Sequence, residues 1–203
     1  MYNQAMPKSQ SSRLFSYETR ILIISHSIFW LATNLLFPFS SIFFIKELNG
    51  VTLSEVGIAS LIFYLSFGMI EPIIGYISDK IKGLKDEIFF VIFGYFLRGG
   101  IFILFAFATN VWHLYMFQFF LGLFRALAGP ADKVLFAKYV RTRPNATLWG
   151  IDESLINISA ALGAGIGGYL IGLYGFRVMF VATGILTIVA GLVTTPLLRK
   201  IKK

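Results

Sequence analysis

Three ionisable residues lie deep in apolar sequence, where any chemistry would be concentrated. Glu71 sits in EPIIG, Arg98 in YFLRGG and Arg125 in LFRALAG. A charged side chain in hydrocarbon costs at least ~2.5 kcal/mol, so such residues pair, face water or perform a function. Glu71 and Arg98 fall at similar depths and fit an ion pair if their helices are neighbours. That pair would be a gating or ion-coupling element, or a structural contact with Arg98 snorkelling to water. Arg125 lies about 20 Å from either end of its run at helical rise, beyond easy snorkelling. It is expected to face a polar cavity or a carboxylate, in a coupling or substrate-related role, or to hold helices together through hydrogen bonds.

No other constellation points to chemistry. The chain has no cysteine, and His26 and His113 have no partner at metal-ligand spacing. Both read as helix-face or interfacial residues. There is no nucleophile–base pair, nucleotide loop or ligand set, so no enzyme activity, cofactor or metal is expected.

The elements that position these residues follow from composition. Of 203 residues 57% are hydrophobic and 17% aromatic, with a mean hydropathy of +0.76. Soluble domains are nearer ~45–50% apolar, and a chain this short cannot hide the excess in its own interior. Six apolar runs, at 21–45, 54–77, 88–108, 111–138, 148–172 and 177–197, are each long enough to cross a ~30 Å hydrocarbon core as a helix. Lipid offers the backbone no hydrogen-bond partner, and these runs are too long and too uniformly apolar for barrel strands. The fold class is all-α: a polytopic bundle of six transmembrane helices over 21–197, between a polar tail at 1–20 and a basic tail at 198–203. The first run is too long for a signal-peptide core and is expected to remain as a helix.

Orientation follows from the basic residues. Lys8, Arg13, Arg20, Lys80, Lys82, Lys85, Lys133, Lys138, Arg141, Arg143, Arg199, Lys200, Lys202 and Lys203, 14 of the 18, fall on one side of the bundle; Lys46 and Arg177 fall on the other. By the positive-inside rule both termini are cytoplasmic. The net charge of +8 is therefore a topology signal beside anionic lipid, and no nucleic-acid partner is expected.

Glycine and proline mark special helices. Gly163 and Gly167 have GxxxG spacing, as do Gly168 and Gly172, which suits close helix packing, static or sliding. Pro38, Pro72 and Pro130 lie inside the first, second and fourth runs, where they would bend the helices.

These motifs together resemble the N-terminal half of a major facilitator superfamily transporter, over about residues 17–198. GYISDKIKGLK, between the second and third runs, is similar to the family's G-x-x-x-D-R/K-x-G-R/K-R/K: Gly75, Asp79 and Lys80 fit in place, while Gly83 and Lys85 fit after a one-residue insertion at Lys82. RALAG resembles the fourth-helix R-x-x-x-G through Arg125 and Gly129. GAGIGG at 163–168 resembles the antiporters' G-P-x-x-G-G, with Ala164 at the proline and Ser159 at an upstream glycine. The resemblance implies a locking role for Gly75 and Asp79 in the outward-facing state, and a proton-coupling role for Arg125. It also implies a transporter of a small solute in the plasma membrane, working by alternating access. Family members have two six-helix halves, with the substrate path between them. A homodimer or a separate second half is therefore the expected partner. The alternative is a non-transporting membrane protein, either a truncated remnant or a stabilising partner.

Overall fold

A computed structural model of the chain describes residues 16–80, 84–140 and 145–200. The first fifteen residues, the last three, and Lys82, Gly83, Arg141 and Arg143, for which the sequence sets expectations, lie outside the described residues. The remainder is helical apart from short turns and loops, with no strand among the described residues. The order is α1 (Tyr17–Asn34), a 3-10 turn (Phe37–Phe39), α2 (Ser40–Glu47), α3 (Leu53–Lys80), α4 (Lys85–Phe105), α5 (Val111–Val140), α6 (Asn145–Val193) and α7 (Pro196–Lys200).

The starts and stops have local causes. Ser16 caps α1, its hydroxyl accepting from the Thr19 amide at 3.1 Å. Thr52 and Glu55 form the reciprocal half of a capping box ahead of α3, the Thr52 amide donating to the Glu55 carboxylate at 2.9 Å. Pro38 sits in the 3-10 turn that separates α1 from α2. The first apolar run is thus a broken helix, since proline has no amide to continue the ladder.

Five helical stretches among the described residues are long and apolar enough to cross a membrane. The last, Ala146–Arg199, has 54 residues, about 80 Å at helical rise and more than twice a hydrocarbon core. It is not one rod. Gly175, at φ 77° and ψ 165°, breaks α6 into segments 145–174 and 176–193, a backbone conformation that glycine adopts without steric cost. The Gly175 break falls inside the turn expected at 173–176.

Small residues set the packing. The main contacts are α1 on α6, α3 on α5, and α4 on both α5 and α6. A Cβ at Gly163 or Gly167 would collide with the Leu31 or Leu35 carbonyl of α1. Gly99 and Gly184 face each other between α4 and α6: a Cβ on either would lie 2.5–2.6 Å from the other's carbonyl oxygen. Gly122 lies against the Phe63 carbonyl and Ser66 hydroxyl of α3. Lipid supplies no hydrophobic drive between apolar helices, so close backbone approach and dispersion do the work.

The core has two ends. At one, the starts of α1, α4 and α6 meet the end of α5 and the short α7 through Leu22, Ile88, Leu135, Val140, Leu148 and Leu197. At the other, Phe43, Phe44, Phe105, Phe117 and Phe180 form an aromatic plug, with Phe43–Phe180 centroids 4.7 Å apart and Phe105–Phe117 5.0 Å. Asn49 donates its amide to the Thr109 carbonyl at 2.9 Å beside this plug, tying two loops together. The outward faces carry exposed Leu61, Leu65, Met69, Phe93, Phe96 and Tyr169, as suits a surface solvated by acyl chains.

Candidate functional site: a charged cavity and a buried Asp–His–Asp triad

Within the bundle lies a cavity of about 700 Å³. Its wall includes the broken first helix (Asn34, Phe37, Pro38, Ser40, Ser41), α3 (Phe63, Phe67, Glu71), α4 (Tyr95, Arg98) and α5 (Gln118, Arg125, Gly129, Asp132, Lys133). Phe44, Phe105 and Phe180 of the aromatic plug also line it. Irregular backbone is tolerated at membrane depth where it borders such a cavity.

Glu71, Arg98, Arg125 and Gly129 all reach this cavity, but they pair differently from the sequence reading. Glu71 does not bind Arg98. Its carboxylate accepts from Lys133 Nζ at 3.2 Å, because α3 packs on α5 rather than on α4. Arg98 instead lies over the Phe29 ring at 4.4 Å, and its buried Nε has no hydrogen-bond partner. Arg125 lies over Phe67 at 4.4 Å and near Phe63 at 5.7 Å. A Cβ at Gly129 would touch the Glu71 carboxylate at an ordinary 3.5 Å.

The α3 motif residues lie apart from the cavity, at the end of that helix. A Cβ at Gly75 would meet open space, Asp79 is exposed, and Lys80 covers the Tyr76 ring at 4.3 Å. Gly168 faces the Phe39 ring, 3.0 Å from a notional Cβ.

A second polar centre adjoins the cavity. His26, read from sequence as a helix-face or interfacial residue, is buried between two aspartates. Nε2 lies 2.9–3.0 Å from the Asp132 carboxylate on α5, and Nδ1 2.9–3.1 Å from Asp152 on α6. Side-chain exposures are 8% for His26, 6% for Asp152 and 22% for Asp132. Of the three, only Asp132 lines the cavity. Ionised carboxylates only accept hydrogen bonds, so both bonds require a proton on each ring nitrogen. The triad is then an imidazolium between two carboxylates. With a neutral ring, one carboxylate must carry a proton instead. Three helices thus share a site in which one proton can shift between the ring and a carboxylate with both hydrogen bonds kept, and from which its release costs one of the two.

The sequence held a signal for this site. Asp132 and Asp152 fall inside the apolar runs 111–138 and 148–172, and the rule that singled out Glu71 applies equally to them. Lys133, counted among the topology charges, faces the cavity and holds Glu71.

Comparison with known proteins agrees with this architecture. The family model for the Major Facilitator Superfamily matches residues 22–203. The chain belongs to the major facilitator superfamily. Similar superfamily proteins include the uncharacterized MFS-type transporter YitZ of Bacillus subtilis, 26% identical over 79% of this chain and 94% of YitZ. MJ1560 of Methanocaldococcus jannaschii, also an uncharacterized MFS-type transporter, is 30% identical over 71% of this chain and 36% of its own length. The membrane sensor protein UhpC of Salmonella typhimurium is 27% identical over 70% of this chain and 31% of UhpC. The chain therefore spans about a third of the length of UhpC and MJ1560, and most of the length of YitZ. The superfamily assignment and the long apolar helices make it a multi-pass membrane protein of a transporter family.

Proposed function

We propose that the chain is a half-transporter: one wall of an alternating-access pathway for a small solute, coupled to protons through His26, Asp132 and Asp152. The observation that carries the reading is the cavity of about 700 Å³, bordered by a broken helix and five charged side chains. Broken helices beside a mid-bundle cavity are where secondary transporters hold substrate and coupling ions. Six spanning helices fit this reading, with α1 and α2 counted as the first and the two segments of α6 as the fifth and sixth. Both termini are then cytoplasmic, and the protein sits in the plasma membrane.

Coupling works through Asp132, which touches both the cavity and His26. A proton arriving from the cavity neutralises Asp132 and loosens its hold on His26. That weakens the tie between α1 and α5 while the tie from His26 to α6 through Asp152 persists. Proton occupancy thereby biases how the helices pack around the solute. Any shift can be only as large as the proton's differential affinity for the two arrangements.

A second wall is part of the proposal. α3 is the least buried of the long helices, and Gly75 and Asp79 at its end meet open space and solvent. They suit a contact with a second six-helix bundle, either another copy or a separate half, inserted with the same orientation. A second reading, a sensor that binds the solute without moving it, is favoured by the likeness to UhpC, a membrane sensor protein. Mass measurement in lipid nanodiscs, run with a flux assay in proteoliposomes, tests the proposal. A dimer with flux supports it, a dimer that binds solute without flux favours the sensor, and a monomer with flux overturns the half-transporter.

A further inference from the structure

The pairing of charges around the cavity gives the class of solute, an inference that rests on the transporter reading above. Five charged side chains line the cavity: Glu71, Arg98, Arg125, Asp132 and Lys133. Glu71 and Lys133 satisfy each other at 3.2 Å, and Asp132 is held by His26 at 2.9 Å. The two arginines are left over. Among the described residues neither has a carboxylate within ion-pair distance; Arg98 lies over Phe29 at 4.4 Å, and Arg125 over Phe67 at 4.4 Å with Phe63 at 5.7 Å. Arg98 Nε is buried with no hydrogen-bond partner. The two side chains project from the adjacent helices α4 and α5 and line the same cavity.

Cation–π contacts supply ~0.5–2 kcal/mol each, less than the ~2.5 kcal/mol or more that a cation costs at membrane depth. Two like charges facing one cavity also repel. An anion resolves both deficits. The guanidinium fork matches a planar or tetrahedral oxyanion through paired hydrogen bonds. The apolar walls beside it, Phe67 and Phe102 among them, suit a carbon skeleton. We propose that Arg98 and Arg125 form the binding site for a small organic anion, its phosphate or carboxylate held between them.

The test uses the full chain in phosphatidylcholine nanodiscs, which present no net anionic headgroup. Inorganic phosphate, glucose 6-phosphate and succinate are titrated at constant ionic strength, with glucose and tetraphenylphosphonium as neutral and cationic controls. Tryptophan fluorescence reports occupancy, because Trp30 lines the cavity, and thermal unfolding reports binding independently. At least one organic anion is expected to saturate where the controls do not. Arg98→Gln and Arg125→Gln should each weaken it about tenfold to a hundredfold, as for a lost charged hydrogen bond. Arg98→Lys and Arg125→Lys, which keep the charge if the glutamine variants misfold, should weaken it less, and Lys46→Gln on the exposed end of α2 should leave it unchanged. Failure of every anion to bind, preferential binding of glucose or tetraphenylphosphonium, or an affinity that ignores the arginine variants would overturn the proposal. Flux of the same compounds in proteoliposomes separates the two claims. An anion bound at the arginines but not transported removes the transport reading alone. Flux of glucose without anion binding removes the anion site alone.

Discussion

Replacing His26 with alanine leaves two carboxylates facing a void where a shared cation stood. Removing one partner from a buried ion pair costs ~3–5 kcal/mol, because the remaining charge is uncompensated. The exposures of the three side chains refine that figure. Asp152 is 6% exposed and does not line the cavity, whereas Asp132 is 22% exposed and does. Water in the cavity can resolvate Asp132 in part, which moves the expected loss to the lower end, ~3 kcal/mol. The burden then falls on Asp152. Adding Asp152→Asn to His26→Ala removes the stranded charge and should recover ~1–2 kcal/mol, and adding Asp132→Asn should recover less. Unfolding of purified protein by denaturant titration in mixed micelles compares wild type with these three variants. A His26→Ala protein within ~0.5 kcal/mol of wild type, the range of an ordinary surface change, would refute the reasoning, as would rescue in the opposite order.

Other variants test the packing, the pairing and the topology. Gly167→Ala places a methyl against the Leu35 backbone and should cost ~1–3 kcal/mol in the same titration. Gly165→Ala, with nothing within 4 Å of its Cβ position, should be neutral or stabilise by up to ~1 kcal/mol. Lys133→Met should lose at most ~1 kcal/mol of stability, because its side chain is 72% exposed; a loss of several kcal/mol would mean that the Glu71 pair is a structural tie. Single cysteines at Gly50, Asn110 and Gly175 should react with an impermeant maleimide from outside, and cysteines at Leu84 and Pro144 only after permeabilisation. Outside labelling at Leu84 would invert the assigned orientation.

Depth was legible in the sequence, but azimuth was not. Apolar run length recovers the helices closely: 54–77 against Leu53–Lys80, and 111–138 against Val111–Val140. It also locates the turn that Gly175 makes. It places Glu71 and Arg98 at similar heights, but height does not say which helices touch. The neighbour of α3 is α5, so Lys133 takes the carboxylate. The proline at 38 announces a bend, and the structure widens it to a full break between Asn34 and Ser40 through the Phe37–Phe39 turn. The triad was hidden for another reason. His26 meets partners 106 and 126 residues away in sequence, a separation at which spacing rules for metal or catalytic motifs carry no information. The two aspartates nevertheless stand out as charges within apolar runs, as Arg125 does.

In the proposed cycle a proton held at the triad is coupled to solute movement, so proton uptake accompanies solute flux and can be measured with it. Proteoliposomes loaded with a pH-reporting dye receive the organic anion that binds at Arg98 and Arg125, with no imposed ion gradient. Wild-type protein should change the internal pH as solute enters, in fixed ratio to solute flux. A folded His26→Gln protein should bind the anion with unchanged affinity yet show no proton movement. Equal proton-to-solute ratios in wild type and His26→Gln would contradict the account and return the triad to a purely structural role.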